Sequence, residues 1–211
     1  MPEATPSGEQ GPGSADAGTA VGDLAGSASL AGGGDLGGSG DLAAEVVRFA
    51  SRLGVRIATA ESLTGGMLAA AIVDVPGASQ AFSGGVVAYD TALKASVLGV
   101  DGGLLAERGP VDPRVAEQMA RGVRDACAVT GPADIGISTT GVAGPLPDPQ
   151  TGQAAGTVWV GVSSAAGERA VSLGLSSAET REAVRRETVR AALEVLLAEL
   201  GNIDPAHSQD S

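Results

Sequence analysis

Aromatic side chains are nearly missing from this chain of 211 residues, which has two Phe, one Trp and one Tyr. Its core must therefore be built from Ala, Val, Leu and Ile, and a hydrophobic fraction of 43% is enough to build one. Cysteine occurs once, at Cys127, which excludes an internal disulfide framework and a thiolate metal cluster. The single histidine, His207, lies in a polar C-terminal stretch, so the folded region has no imidazole for catalysis or ligation. A metal would need an all-oxygen site, and no acidic cluster has suitable spacing, so no metal and no cofactor is expected. Basic residues are scarce as well: 13 Lys and Arg stand against 25 Asp and Glu, a net charge of −12. A nucleic-acid partner needs a basic stripe, and the nearest thing is a set of arginines on the last helix, so none is expected. No apolar run approaches the ~20 residues of a membrane span, and no charged-then-apolar leader opens the chain. The expectation is a soluble, cytoplasmic protein with no membrane partner.

What is present falls into three stretches. Residues 1–40 are Gly, Ala, Ser and Asp, with Glu3, Glu9, Asp16, Asp23 and Asp35 unbalanced by any Lys or Arg. Such a segment buries too little surface to offset its ordering entropy and reads as a disordered acidic tail. Residues 41–200 read as the folded domain and 201–211 as a C-terminal tail. Within the domain, Asp41 suits the N-cap of a helix carrying Leu42, Val46, Val47, Phe49 and Leu53, stopped at Gly54. Residues 55–58 read as a short buried strand, followed by the turn Glu61-Ser62-Leu63-Thr64-Gly65-Gly66 and a small apolar helix over 67–73. Residues 82–89 are apolar throughout and read as a second strand, with Asp90 or Thr91 capping a short helix that holds Lys94. Residues 101–109 are a weaker helix or a loop. Asp112-Pro113 opens a helix with Val115, Met119, Val123 and Ala126 on its inner face. A strand over 134–139 runs into Thr140-Gly141-Val142-Ala143-Gly144-Pro145. Two strands, 157–163 and 169–175, flank a hairpin signal, and a last helix covers 178–200. This order predicts a three-layer α/β/α sandwich on about five strands. The helical crossovers imply parallel pairing and the two late, tight connections imply one antiparallel strand, so the sheet is mixed.

Four polar residues stand where packing alone would favour apolar ones: Ser62, Tyr89, Lys94 and Thr140. Open α/β sheets gather ligands at the carboxyl ends of their strands, and Ser62, Tyr89 and Thr140 all fall at strand ends. Each has a plainer reading, Ser62 as a helix-capping hydroxyl, Tyr89 as a strand-end aromatic, Lys94 as a solvated charge and Thr140 as a turn residue. Taken together they suit acyl transfer. With no histidine available, a lysine whose pKa is lowered by burial is the available base for a serine nucleophile. Backbone N–H groups around residues 63–66, at a helix N-terminus, are the candidates to hold a developing oxyanion.

These residues also resemble a known family. Thr59-Ala60-Glu61-Ser62-Leu63-Thr64-Gly65-Gly66, Asp74-Val75-Pro76-Gly77-Ala78-Ser79, Gly84-Gly85-Val86-Val87-Ala88-Tyr89 with Lys94 and Leu98-Gly99-Val100, Thr140-Gly141-Val142-Ala143-Gly144-Pro145 and Gly156-Thr157-Val158-Trp159-Val160 are five blocks in the order found in the CinA family's C-terminal domain, the nicotinamide-nucleotide amidases. The likeness covers roughly residues 41–200. It implies a mixed five-stranded sheet in the order 2-1-3-4-5 with strand 4 antiparallel. It implies hydrolysis of the carboxamide of nicotinamide mononucleotide to nicotinic acid mononucleotide and ammonia, in pyridine-nucleotide recycling, with no metal. By the same resemblance Ser62 is the nucleophile, Lys94 its general base and Tyr89 an aid to proton movement or orientation. Thr140 contacts the substrate or oxyanion. The substrate-binding set is Thr64, Gly65, Gly66, Thr140, Gly141 and Arg181, with Arg181 for the 5′-phosphate. A homo-oligomer and the stand-alone form of the family are further expectations. The sequence departs from the family pattern at Leu63, where cysteine is frequent, at Thr180, and at Leu146-Pro147-Asp148-Pro149, where more glycine is usual. Two rivals remain at this stage: a nucleotide-binding module without turnover, linked to competence or DNA damage, and an amidase for another small carboxamide.

Overall fold

The structure, a computed structural model, describes residues 37–175, 178 and 180–203. The described elements are, in order, α1 (Gly37–Leu53), β1 (Ile57–Glu61), α2 (Met67–Val73), a 3₁₀ turn (Ala78–Gln80), β2 (Phe82–Val87), α3 (Thr91–Ser96), α4 (Gly102–Arg108), α5 (Pro113–Ala126), β3 (Ile135–Gly141), β4 (Thr157–Ser164), β5 (Gly167–Gly174) and α6 (Arg181–Ile203). The five strands form one sheet in the order β2-β1-β3-β4-β5. β1 pairs in parallel with β2 and β3, whereas β4 is antiparallel to both β3 and β5. The mixed sheet is as the element order predicts, and its strand order is the one the family resemblance implies.

Helices cover both faces. α1, α2 and α6 pack on one, where Ile57, Ile135, Ile137, Val160 and Val162 meet Val46, Ile72, Leu193 and Leu196. On the other, Ala58 and Ala60 meet Leu98, Leu104, Val115, Met119 and Val123. Small residues set the depth of α5 here. A Cβ on Gly136 would sit 1.9 Å from the Ala120 carbonyl oxygen, and one on Gly161 would sit 2.2 Å from that of Ala116. The helix backbone therefore lies directly on β3 and β4. The aliphatic core is dense in spite of the missing aromatics, each fully buried Ile or Leu contributing ~1.5–3 kcal/mol.

Several boundaries differ from expectation. α1 begins at Gly37, so Asp41 lies inside the helix rather than capping it, and residues 37–40 are not part of a tail. The rest of that segment, 1–36, lies outside the described residues. α6 continues to Ile203, and 204–211, including His207, also lie outside them. The first strand is Ile57–Glu61 instead of 55–58, because residues 57–61 are laddered on both sides, by β2 and by β3. The second strand ends at Val87, two residues before Tyr89. Residues 102–108 are a helix, capped by the Asp101 carboxylate accepting from the Leu104 amide, with Leu104 and Leu105 buried.

Candidate active site

Strand alternation sorts the end of β1 between the two faces. Glu61 shares the side of Ile57 and turns toward α2, where its carboxylate accepts the amides of Gly66 (2.9 Å), Leu68 (3.1 Å) and Ala69 (2.7 Å). Ser62, next in the chain, is 9% exposed and receives a hydrogen bond from Lys94 on α3. The Lys94 amine lies 3.0 Å from the Ser62 hydroxyl and 2.7 Å from the Ala88 carbonyl, with the residue only 1% exposed. Burial lowers its pKa from 10.5 to about 8, and the nearby Asp90 carboxylate pulls the other way. Desolvation thus prevails over the neighbouring charge, so that roughly a tenth of the amines are neutral at pH 7.

The Ser62 turn is held from outside by α6. Arg185 donates to the carbonyls of Leu63 (3.0 Å) and Thr64 (2.8 Å). Gly65 and Gly66 carry φ of 61° and 95°, a path that favours glycine. Ser62 and Lys94 line a cleft of about 210 Å³ with Leu63, Tyr89, Thr91, Pro110, Val111, Thr140, Gly141, Ala143, Asp148 and Arg181. Tyr89 is 62% exposed, and its hydroxyl accepts from the Arg181 guanidinium at 3.0 Å. Arg181 also donates to the Gly144 carbonyl. The pair therefore forms the cleft's outer rim, with the buried Ser62 and Lys94 deeper.

The structure brings Ser62, Lys94, Tyr89, Thr140, Gly141 and Arg181 to one cleft and leaves Thr64, Gly65 and Gly66 off its lining. Thr64 is fully buried, its hydroxyl 2.8 Å from that of Thr139, where it ties the turn to β3. The Gly66 amide is taken by Glu61, as is the first turn of α2, so the helix N-terminus does not face the cleft as an anion site. The amides of Leu63 and Thr64 have no acceptor among the described residues. Tyr89 is bonded to neither Ser62 nor Lys94. Thr140 already donates its hydroxyl proton to the Pro110 carbonyl at 2.6 Å, which leaves it only acceptor capacity. Glu61, Arg185 and Asp148 are not among the site residues the sequence predicts. An acidic residue closing an apolar strand six positions before a helix is the signal that could have found Glu61. No group of three or more His, Cys, Asp or Glu among the described residues is placed to hold a metal.

A family model described as the CinA C-terminal domain matches residues 39–200. The chain belongs to this family. Among relatives of the CinA C-terminal domain, a CinA-like protein of Frankia casuarinae is 44% identical over 157 residues, 73% of this chain and 34% of that protein. A putative competence-damage inducible protein of Bacillus velezensis is 50% identical over 111 residues, 53% of this chain and 25% of that protein. The chain thus spans a quarter to a third of the length of these curated relatives. Among solved structures, a competence-damaged protein (CinA) superfamily protein from Klebsiella pneumoniae superposes with a TM-score of 0.72 at 30% identity, covering 78% of this chain and 98% of that one. The competence/damage inducible protein CihA from Agrobacterium tumefaciens gives 0.69 at 30% identity, over 76% and 94%. No helix among the described residues is long and apolar enough to cross a membrane.

Proposed function

We propose that this CinA C-terminal domain is an amidohydrolase that converts nicotinamide mononucleotide to nicotinic acid mononucleotide and ammonia. The single observation that carries the reading is the buried contact of 3.0 Å between Lys94 and Ser62, with a lysine whose pKa is drawn down to about 8. A neutral Lys94 accepts the Ser62 hydroxyl proton as the oxygen attacks the carboxamide carbon. The unclaimed amide of Leu63, which lines the cleft, is the donor for the resulting oxyanion, replacing the Gly66 amide that Glu61 occupies. As the tetrahedral intermediate collapses, Lys94 returns the proton to the leaving nitrogen and ammonia departs. Water, deprotonated by the same amine, then cleaves the acyl–serine ester.

The carboxamide sits at the buried floor and the phosphate at the rim, where Arg181 offers a guanidinium. Tyr89, held by Arg181, acts by orienting the nucleotide rather than by moving the Ser62 proton. Thr140 fixes the Pro110 wall and presents an oxygen acceptor to the amide. The test is ammonia release on incubation with nicotinamide mononucleotide: stoichiometric excess of ammonia over protein is expected. Saturable binding without product would make the chain a binding module, and turnover confined to other amides would change the substrate.

A further inference from the structure

Asp148 plays no part in the chemistry above, yet it is a firmly constructed group within the same cleft. One carboxylate oxygen, Oδ1, accepts from the Gln150 amide (3.1 Å), the Thr151 amide (2.7 Å) and the Thr151 hydroxyl (2.8 Å). Its own amide donates to the Gln153 carbonyl and its carbonyl accepts from Gly152. The loop is fastened in turn, since the side chain of Gln150 donates to the Leu105 carbonyl of α4 and that of Gln153 to the carbonyl of Val111 in the cleft wall. The carboxylate is therefore fixed through one oxygen, and the other, Oδ2, has no partner among the described residues. Among the described residues, Asp148 is the sole acidic one lining the cleft. Arg181, on the same lining, is engaged by the Gly144 carbonyl and the Tyr89 hydroxyl rather than by a carboxylate.

The cleft is thus bipolar, with an anchored anion and a cation that has no carboxylate partner among the described residues, both apart from the Ser62–Lys94 pair. An anionic acceptor repels a phosphate and binds hydroxyl protons through charge-assisted bonds. Of the three parts of a nucleotide carboxamide, the amide belongs at Ser62 and the phosphate at Arg181. Only the sugar then offers neutral donors to a carboxylate. The geometry points to Asp148 as the acceptor for the ribose hydroxyls, a specificity residue that selects ribonucleotides over deoxyribonucleotides. This inference rests on the nucleotide reading of the cleft but not on turnover.

The test is calorimetric titration of nicotinamide mononucleotide and its 2′-deoxy counterpart into Ser62→Ala and into Ser62→Ala/Asp148→Asn. Asparagine keeps an oxygen for the three loop bonds and puts a donor where Oδ2 was. We expect Ser62→Ala to prefer the ribonucleotide by about tenfold or more, the scale of one hydrogen bond to a charged group. In the double variant that preference should fall to near unity through weaker ribonucleotide binding alone. A preference unchanged by Asp148→Asn, an equal loss for both ligands, or no preference or binding in Ser62→Ala would each overturn the assignment. Wild-type chain that releases no ammonia while the preference stands would sink the amidase reading and leave Asp148's role intact.

Discussion

Replacing Lys94 by methionine should remove one defined contribution of alkaline pH to the stability of the fold. The folded chain holds this amine at a pKa of about 8 because of burial, against 10.5 when the chain is open to water. Between those values the unfolded chain binds the proton and the folded chain does not, so stability rises with pH across that window. Below about 8 both states are protonated and the folded one carries a constant penalty, on the order of 3 kcal/mol at 1.36 kcal/mol per unit. Between pH 7 and pH 10 the wild type should therefore gain about 2.5 kcal/mol relative to Lys94→Met, whose side chain does not titrate. Urea unfolding of both proteins at the two pH values measures this double difference, in which all other titrating groups cancel. The same proton governs the proposed chemistry. Wild-type kcat/KM should climb about tenfold per unit up to pH 8 and then level, while Lys94→Met should lose at least ~100-fold at every pH. Stability curves that run parallel for the two proteins, or an activity profile flat from pH 6 to 9, would refute a buried lysine of lowered basicity.

Two further changes separate binding from architecture. Arg181→Ala should raise KM more than it lowers kcat, because the guanidinium stands at the rim, away from Ser62; steady-state kinetics in which kcat alone falls would contradict this. Glu61→Ala strips three amide partners from the start of α2 and should cost about 3 kcal/mol in urea unfolding, with Glu61→Gln recovering part of it. A loss under ~1 kcal/mol would mean that water or another group caps the helix equally well.

The strands and α5 were legible because burial writes itself into sequence as apolar runs and as Val115, Met119 and Val123 at helical spacing. The residue types of the site could be read too: a serine after a strand and a lysine in a chain whose one histidine is His207 leave few ways to activate a nucleophile. Their meeting is implied by the family resemblance, but its buried 3.0 Å geometry is not, since that depends on α3 packing on the α5 face of the sheet. In sequence a hydroxyl beside glycines looks the same whether it faces a ligand or, as Thr64 does, Thr139. α4 was obscured by Gly102-Gly103, poor helix formers whose cost is met by the Asp101 cap and by burial of Leu104 and Leu105. The apolar run continues to Tyr89 and so places it at a strand end, yet pairing with β1 stops at Val87. Arg185 looked like one of several arginines along a helix, and only the fold reveals that it grips the carbonyls of the Ser62 turn.

The most direct measurement is the covalent state of Ser62 during turnover. Wild-type protein mixed with nicotinamide mononucleotide, quenched in acid and digested should yield a Ser62-bearing peptide esterified by the nicotinoyl mononucleotide group. Ser62→Ala should yield neither that adduct nor ammonia. Undiminished ammonia release from Ser62→Ala would contradict the account.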